Sequence, residues 1–91
     1  MRKIEKQMNA AIRHGINWQS GNTAVNPGIT TAAVLLHGNL IAIVNMNTGE
    51  ATVEIATLHR WDTPTTKSRL RALGVDVYTR KGQTYVNGEA I

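Results

Sequence analysis

The sequence contains no cysteine and no phenylalanine, only two prolines and only six acidic residues. Without cysteine there is no disulfide framework and no thiolate metal site, so the composition gives no reason to expect an oxidising compartment. Apolar runs such as Ala32–Leu36 are far shorter than the roughly 18 residues of a membrane-spanning helix. The basic start leads into an amphipathic pattern and not into the apolar region of a signal peptide. We therefore expect a cytoplasmic protein with no membrane partner.

The chain does have the length and the apolar content of a small folded domain. Hydrophobic residues make up 42% of its 91 residues, a fraction too high for a disordered tail. A domain of this size buries roughly 60–70% of the surface that its unfolded chain exposes. That allows a small core but not an enclosed active-site cavity with a lid. We expect residues 1–91 to form one α+β domain.

Two segments have the pattern of an α-helix. From Arg2 to His14 the apolar residues recur at the spacing of one helical face, and Gly15 follows as a terminator. The second helix is predicted from Pro64 to Leu73. It has threonine at the N-cap, proline at its first position and Gly74 after its end. The sequence therefore predicts an N-terminal helix and a second helix in the last third of the chain.

Alternating apolar residues between and after these helices predict β-structure. We expect a three-stranded antiparallel meander with Gly38-Asn39 as its first turn, followed by the second helix and a C-terminal hairpin. The predicted strands of the meander are Thr30–His37, Leu40–Met46 and Glu50–Leu58, and those of the hairpin are Val75–Thr79 and Gln83–Asn87. The polar segment Asn17–Gly28 indicates a loop with at most a short strand at Asn22–Val25.

Both faces of the predicted meander are apolar at its centre. An antiparallel sheet with one face in solvent alternates apolar and polar residues, so each face here needs a cover. A helix can cover one face, and the other requires the second helix, the loop or another subunit. Because monomers rarely leave a large apolar patch open, we predict an interface with a second copy or with another protein. Its residues would be Val34, Leu36, Ile41 and Ile43.

Basic residues are concentrated towards the C-terminus. Six of the ten lie between positions 60 and 81, where only Asp62 and Asp76 oppose them. Such an asymmetry is expected of a surface that contacts a phosphate backbone, although an ordinary solvated helix face gives the same pattern. The predicted nucleic-acid contacts are Arg60, Lys67, Arg69, Arg71, Arg80 and Lys81.

Four aromatic residues accompany these cations. Tyr78 and Tyr85 lie on the two strands of the predicted hairpin and would be cross-strand neighbours on which unpaired bases could stack. Trp18 and Trp61 flank the meander, where they could cap its open ends. Because the chain has no phenylalanine, these are also the only large rings that could fill a core. The tyrosines therefore join the predicted nucleic-acid contacts, with the core as their alternative.

No pattern of catalytic or metal-binding residues is present. The three histidines, His14, His37 and His59, occur singly, without a second histidine at metal-ligand spacing. There is no glycine-rich phosphate loop, no nucleophile elbow and no acidic calcium loop. We expect a protein that is not an enzyme and that has no catalytic residues, no metal and no cofactor.

Three segments together resemble a family of small proteins encoded by tailed bacteriophages, particularly short-tailed ones. They are WQSGNTAV from Trp18, LHGNLIA from Leu36 and WDTPTTKSRLRAL from Trp61. The resemblance implies a phage protein made in the cytoplasm of the host bacterium. Small phage accessory proteins typically bind nucleic acid or one host enzyme, an argument by analogy.

Two hypotheses about function follow. The first is non-enzymatic binding of DNA or RNA through the basic helix and hairpin. The second is inhibition or modulation of a host bacterial protein by covering part of its surface.

Overall fold

Two antiparallel sheets and three helices make up the fold in a computed structural model that describes residues 1–91. In chain order the elements are α1 (Lys3–His14), β1 (Trp18–Ser20), β2 (Thr23–Pro27), β3 (Thr31–Leu36), β4 (Asn39–Asn45), β5 (Ala51–Val53), α2 (Ile55–Arg60), α3 (Pro64–Ala72), β6 (Val77–Arg80), β7 (Gln83–Val86) and β8 (Glu89–Ala90). The first sheet has the strand order β1-β2-β3-β4-β5 and the second sheet β6-β7-β8. The predicted α+β class is confirmed.

The segment predicted as a loop with a short strand at Asn22–Val25 forms two strands of the first sheet, and β2 overlaps that predicted strand. Gly21, at φ +56°, turns the chain between β1 and β2, and the next strand pairs in register with β3. Thr23 and Val25 point into the core, while Ala24 between them does not. Sequence reasoning missed this alternation because polar residues interrupt it. The sheet therefore has five strands where three were predicted.

The third predicted strand is wrong beyond Val53. The backbone N–H of Glu54 makes the last hydrogen bond to the sheet, donating to the carbonyl of Ile41 at 2.8 Å, and the chain then turns into α2. Ile55 and Leu58 are three residues apart, a spacing that brings both side chains to one side of a helix. Leu58 is buried in the core, which holds this short helix against the sheet.

The pairing of β3 with β4 is shifted from the predicted register. The two-residue turn consists of His37 and Gly38, both with positive φ, and a bulge follows. On either side of the bulge Leu35 pairs with Leu40 and Val34 with Ala42, so Ile41 is the extra residue. A shift of one residue exchanges the two faces of a strand. The core face of β4 consequently differs from the predicted one.

One apolar core joins both sheets and all three helices. Helix α1 contributes Met8, and α3, whose predicted position is confirmed, contributes Leu70. Val25 comes from the first sheet, and Val77 and Val86 come from the second sheet. The predicted C-terminal hairpin is present as β6 and β7, with β8 added at its edge. Helix α3 and the second sheet, which carry most of the predicted nucleic-acid contacts, thus share one core with the first sheet.

Candidate functional site

The outer face of the second sheet carries two stacked tyrosines. Tyr78 and Tyr85 are directly opposite each other on β6 and β7, with ring centroids 5.1 Å apart and planes inclined by 14°. Tyr78 is exposed, whereas Val77 beside it is buried in the core and the hydroxyl of Thr79 accepts a hydrogen bond from Lys67 of α3. Arg80 is two residues further on the same face and is also exposed. We call Tyr78, Arg80 and Tyr85 the tyrosine face.

Arg69 does not contribute to an exposed surface. Its side chain is 4% exposed and forms an ion pair with Glu5 of α1, with Nη1 and Oε2 2.8 Å apart. Its Nε donates a second hydrogen bond, 2.9 Å long, to the hydroxyl of Thr23 on β2. The predicted phosphate contact is therefore wrong for this residue, because the guanidinium ties α3 to α1 and to the first sheet.

The buried network around Arg69 determines the pKa of the Glu5 carboxylate. Burial on its own would raise the pKa, but hydrogen bonds from Ser68, from Arg69 and from the backbone N–H of Arg2 outweigh it and lower the pKa below its ordinary value. The hydroxyl of Ser68 lies 2.5 Å from Oε2. Glu5 is therefore held as the anion, as a buried partner of Arg69 requires.

Lys67 is also occupied by contacts within the chain. Its Nζ lies 2.8 Å from the carboxylate of Asp62 and donates a 2.6 Å hydrogen bond to the hydroxyl of Thr79. The same carboxylate accepts a hydrogen bond from Thr84. The hydrogen bonds from Lys67 and Thr84 lower the pKa of Asp62. Lys67 therefore fastens the hairpin to α3, and its prediction as a free phosphate contact is wrong.

Four of the six predicted cations remain exposed. Arg60, Arg80 and Lys81 make no ion pair, and Arg71 uses only its Nε, which donates to the carbonyl of Val77 at 2.9 Å. Sequence reasoning gave no role to the cations of the N-terminal helix region. Those residues are exposed and form no ion pair either. They are Arg2, Lys3, Lys6 and Arg13.

The four predicted interface residues do not share a free face. Val34, Leu36 and Ile41 are at most 5% exposed and belong to the core, so their assignment to an interface is wrong. Ile43 is 41% exposed and lies on the opposite face of the first sheet, because the bulge reverses its orientation relative to Ile41. That outer face carries Ala24, Ala33, Leu35, Leu40 and Ile43.

A cavity of about 520 Å³ opens between the β3–β4 turn and the junction of α2 with α3. Its lining residues are Leu36, His37, Asn39, Ile41, Thr57, Trp61, Thr63, Thr65 and Thr66. The two tryptophans differ in environment: Trp18 packs against the core, whereas Trp61 is 47% exposed and borders this cavity. Of the two tryptophans that could fill a core, Trp18 therefore packs against it and Trp61 does not.

The structure contains no cluster of three or more histidine, cysteine, aspartate or glutamate side chains placed to hold a metal ion. None of its helices has the length and apolarity needed to cross a bilayer.

The fold and these surfaces define a small α+β protein whose exposed charge is mainly basic and whose second sheet carries two stacked tyrosines, one of them exposed. Residues 1–91 match the family model described as Kyanoviridae Gp96 protein, and the chain belongs to that family. The predicted phage origin is confirmed. The Kyanoviridae are cyanophage myoviruses, so the expectation of a short-tailed phage is wrong. No curated protein and no solved structure matches the chain.

Proposed function

We propose that this phage protein binds single-stranded DNA or RNA in the cytoplasm of its host bacterium, without catalysing a reaction. The observation that carries the proposal is the stack of an exposed Tyr78 on a half-buried Tyr85, with Arg80 on the same face. Proteins that bind single strands combine aromatic rings, on which unpaired bases stack, with cations that follow the backbone. Bases within a duplex are already stacked on one another, so this face favours a single strand.

The exposed cations suggest how a strand would be held. Arg80 and Lys81 lie at and beside the hairpin turn, next to the tyrosine rings, and contact the phosphates that flank a stacked base. Arg71 and Arg60 extend the contact along α3 and α2. Stacking and phosphate contacts carry little sequence information, so binding is largely independent of sequence. With about four phosphates neutralised on a single strand, the log–log salt slope should be roughly −3.

Fluorescence anisotropy with labelled single-stranded oligothymidine and oligouridine at about 50 mM salt tests the proposal, since low salt favours phosphate contacts. Tyr78→Ala should weaken binding about tenfold, the effect of losing one stacked base. Arg80→Ala should weaken binding and make the salt slope shallower by nearly one. Arg13→Ala is the matched control, since it removes an exposed cation from α1.

Two results would contradict the proposal. One is the absence of binding to either strand at low salt. The other is an equal loss in Arg13→Ala and Arg80→Ala, which would indicate attraction by net charge alone. A duplex of the same length should bind more weakly than the single strand.

As a second candidate function, we propose that the protein covers part of a host protein's surface, or pairs with a second copy, through the outer face of the first sheet. The observation in its favour is that this face is apolar at its centre and that none of the five strands contains a charged residue. Ile43, the most exposed of its apolar residues, would lie at the contact.

Light scattering and a pull-down from nuclease-treated host lysate separate these alternatives. Ile43→Lys places a charge on the outer face and should abolish either self-association or capture of a stoichiometric host protein, while Arg80→Ala should leave both intact. A wild-type monomer that captures no protein would exclude this candidate.

A further inference from the structure

We propose that the cavity between the β3–β4 turn and the α2–α3 junction is a binding site for a single nucleobase, separate from the tyrosine face. Its volume of about 520 Å³ lies within the roughly 300–1,000 Å³ of small-ligand sites in proteins. The cavity is thus large enough for a planar ring and its substituents.

Trp61 provides one wall of the site. Its indole is 47% exposed and does not pack against the core, unlike that of Trp18. The backbone that carries it is fixed from both sides. Its N–H donates to the carbonyl of Thr57, and its own carbonyl accepts from the N–H of Thr63, each at 2.8 Å. A large ring that is carried on a fixed backbone and is half exposed is suited to stacking on another planar ring.

The rest of the lining indicates which ring would fit. Leu36 and Ile41 offer an apolar surface, whereas the hydroxyls of Thr57 and Thr65 and the amide of Asn39 supply donors and acceptors. None of the nine lining residues is a lysine, an arginine, an aspartate or a glutamate. The site therefore suits a neutral ring with hydrogen-bonding groups on its edge. This is the chemistry of a nucleobase and not that of a plain hydrocarbon.

The cavity and the tyrosine face have no residue in common. Thr63 and Thr66 at the start of this helix border the cavity, whereas Lys67 reaches the second sheet through Thr79. Tyr78 and Tyr85 point away from α3, on the outer face of the second sheet. The nucleobase site therefore does not depend on binding at the tyrosines. It could receive a free nucleoside or one unpaired base of a strand.

Backbone amide NMR of the full chain tests the site directly. Adenosine, thymidine and short oligothymidine are titrated separately, and saturable shifts are expected in the amides of residues 36–41 and 57–66. Shifts with the nucleosides identify a site for the free compound, and shifts with the oligonucleotide alone identify a site for a base within a strand. Shifts of residues 78–85 report separately on the tyrosine face.

Variants provide the control measurements. Trp61→Ala should weaken binding at the cavity about tenfold or more, Trp61→Phe should retain most of it, and Tyr78→Ala should leave it unchanged. The amide spectrum shows in each case whether the variant is folded. The proposal is overturned if neither nucleosides nor oligonucleotide shift the cavity residues. It is also overturned if p-cresol, a ring without base edges, binds there as tightly as the nucleosides.

Discussion

Arg69 is one of the six basic residues near the C-terminus, but its role is a buried ion pair and not a phosphate contact. Burying its charge is tolerated because Glu5 and Thr23 satisfy the guanidinium. The sequence does contain a signal for this pair. Glu5 precedes Met8 by three residues and Arg69 precedes Leu73 by four, so each lies on the buried stripe of its helix. A charge on an apolar stripe indicates a buried pair more strongly than a surface contact.

Removing the cation of this pair should cost stability. Arg69→Met leaves the carboxylate of Glu5 buried without its partner, and the free energy of unfolding should fall by about 3–5 kcal/mol. Urea denaturation followed by tryptophan fluorescence measures the change. Arg80→Met is the matched control and should shift the free energy by no more than about 0.5 kcal/mol, since its side chain is exposed. Equal effects in the two variants would contradict a structural role for Arg69.

The same pair should make stability depend on acidity. The pKa of Glu5 is lower in the folded protein than its ordinary value of 4.5, so the unfolded chain takes up the proton more readily. The stability that Glu5 contributes is complete when the pH is above the ordinary pKa of the carboxyl group. It is lost as the pH falls through the pKa of the folded protein. Urea titrations between neutral and acidic pH should show stability decreasing on acidification. The decrease should be smaller in Glu5→Gln, and an identical decrease would contradict the assignment.

At the scale of elements, three hairpins of this fold use the same turn. Each has two residues with positive φ, and the second is always glycine. The pairs are His37-Gly38, Lys81-Gly82 and Asn87-Gly88. Only the last has the asparagine-glycine sequence that this turn prefers. The other two place a residue with a bulky side chain in the left-handed region.

Lys81 is therefore a position where the turn can be improved. A non-glycine residue in the left-handed region is held there at a cost that asparagine largely avoids, so Lys81→Asn should raise the free energy of unfolding by about 1 kcal/mol. Urea denaturation measures the gain. Arg80→Asn is the control, because this position at the end of β6 has no positive φ, and it should not raise the free energy of unfolding. A loss of stability in Lys81→Asn would show that Lys81 makes a stabilising contribution through its side chain.

The elements that the sequence predicted correctly are those with strong local signals. Helix α3 follows from Thr63 and Pro64, and Thr63 accepts the N–H of Thr66 at 3.2 Å as an N-cap should. Strands β1 and β2 have weak local signals and are held by pairing with β3, which depends on residues distant in sequence. Helix α2 likewise depends on residues distant in sequence, because its Leu58 is held in the core. Propensity alone does not determine such segments.

At the scale of the whole molecule, the core does not divide between the two sheets. Val77 and Val86 belong to the same cluster as Val25 and Val34, and Leu70 of α3 is also a member. The contacts of Lys67 and Asp62 with the hairpin add polar links to this arrangement. The tyrosine face is thus carried by a sheet that depends on the rest of the protein.

A single cooperative unfolding transition should follow. Amide NMR peaks from β2–β4 and from β6–β8 should disappear at the same urea concentration, because neither sheet has a core of its own. Val77→Ala removes a buried side chain of the second sheet and should lower the midpoint of both sets equally. Earlier loss of the β6–β8 peaks would show that the chain consists of two units and would contradict the prediction of one domain.

The single unpaired residue in β4 has a consequence for other members of the family. Before and after Ile41 the alternation of inward and outward side chains is offset by one residue, because Ile41 is an extra residue in the pairing. In a homologue without this residue Ile43 would still face solvent, because the pairs Leu35–Leu40 and Val34–Ala42 already alternate regularly once Ile41 is left out. The bulge therefore adds one apolar side chain to the interior and leaves the solvent-facing side chains of β4 as they are.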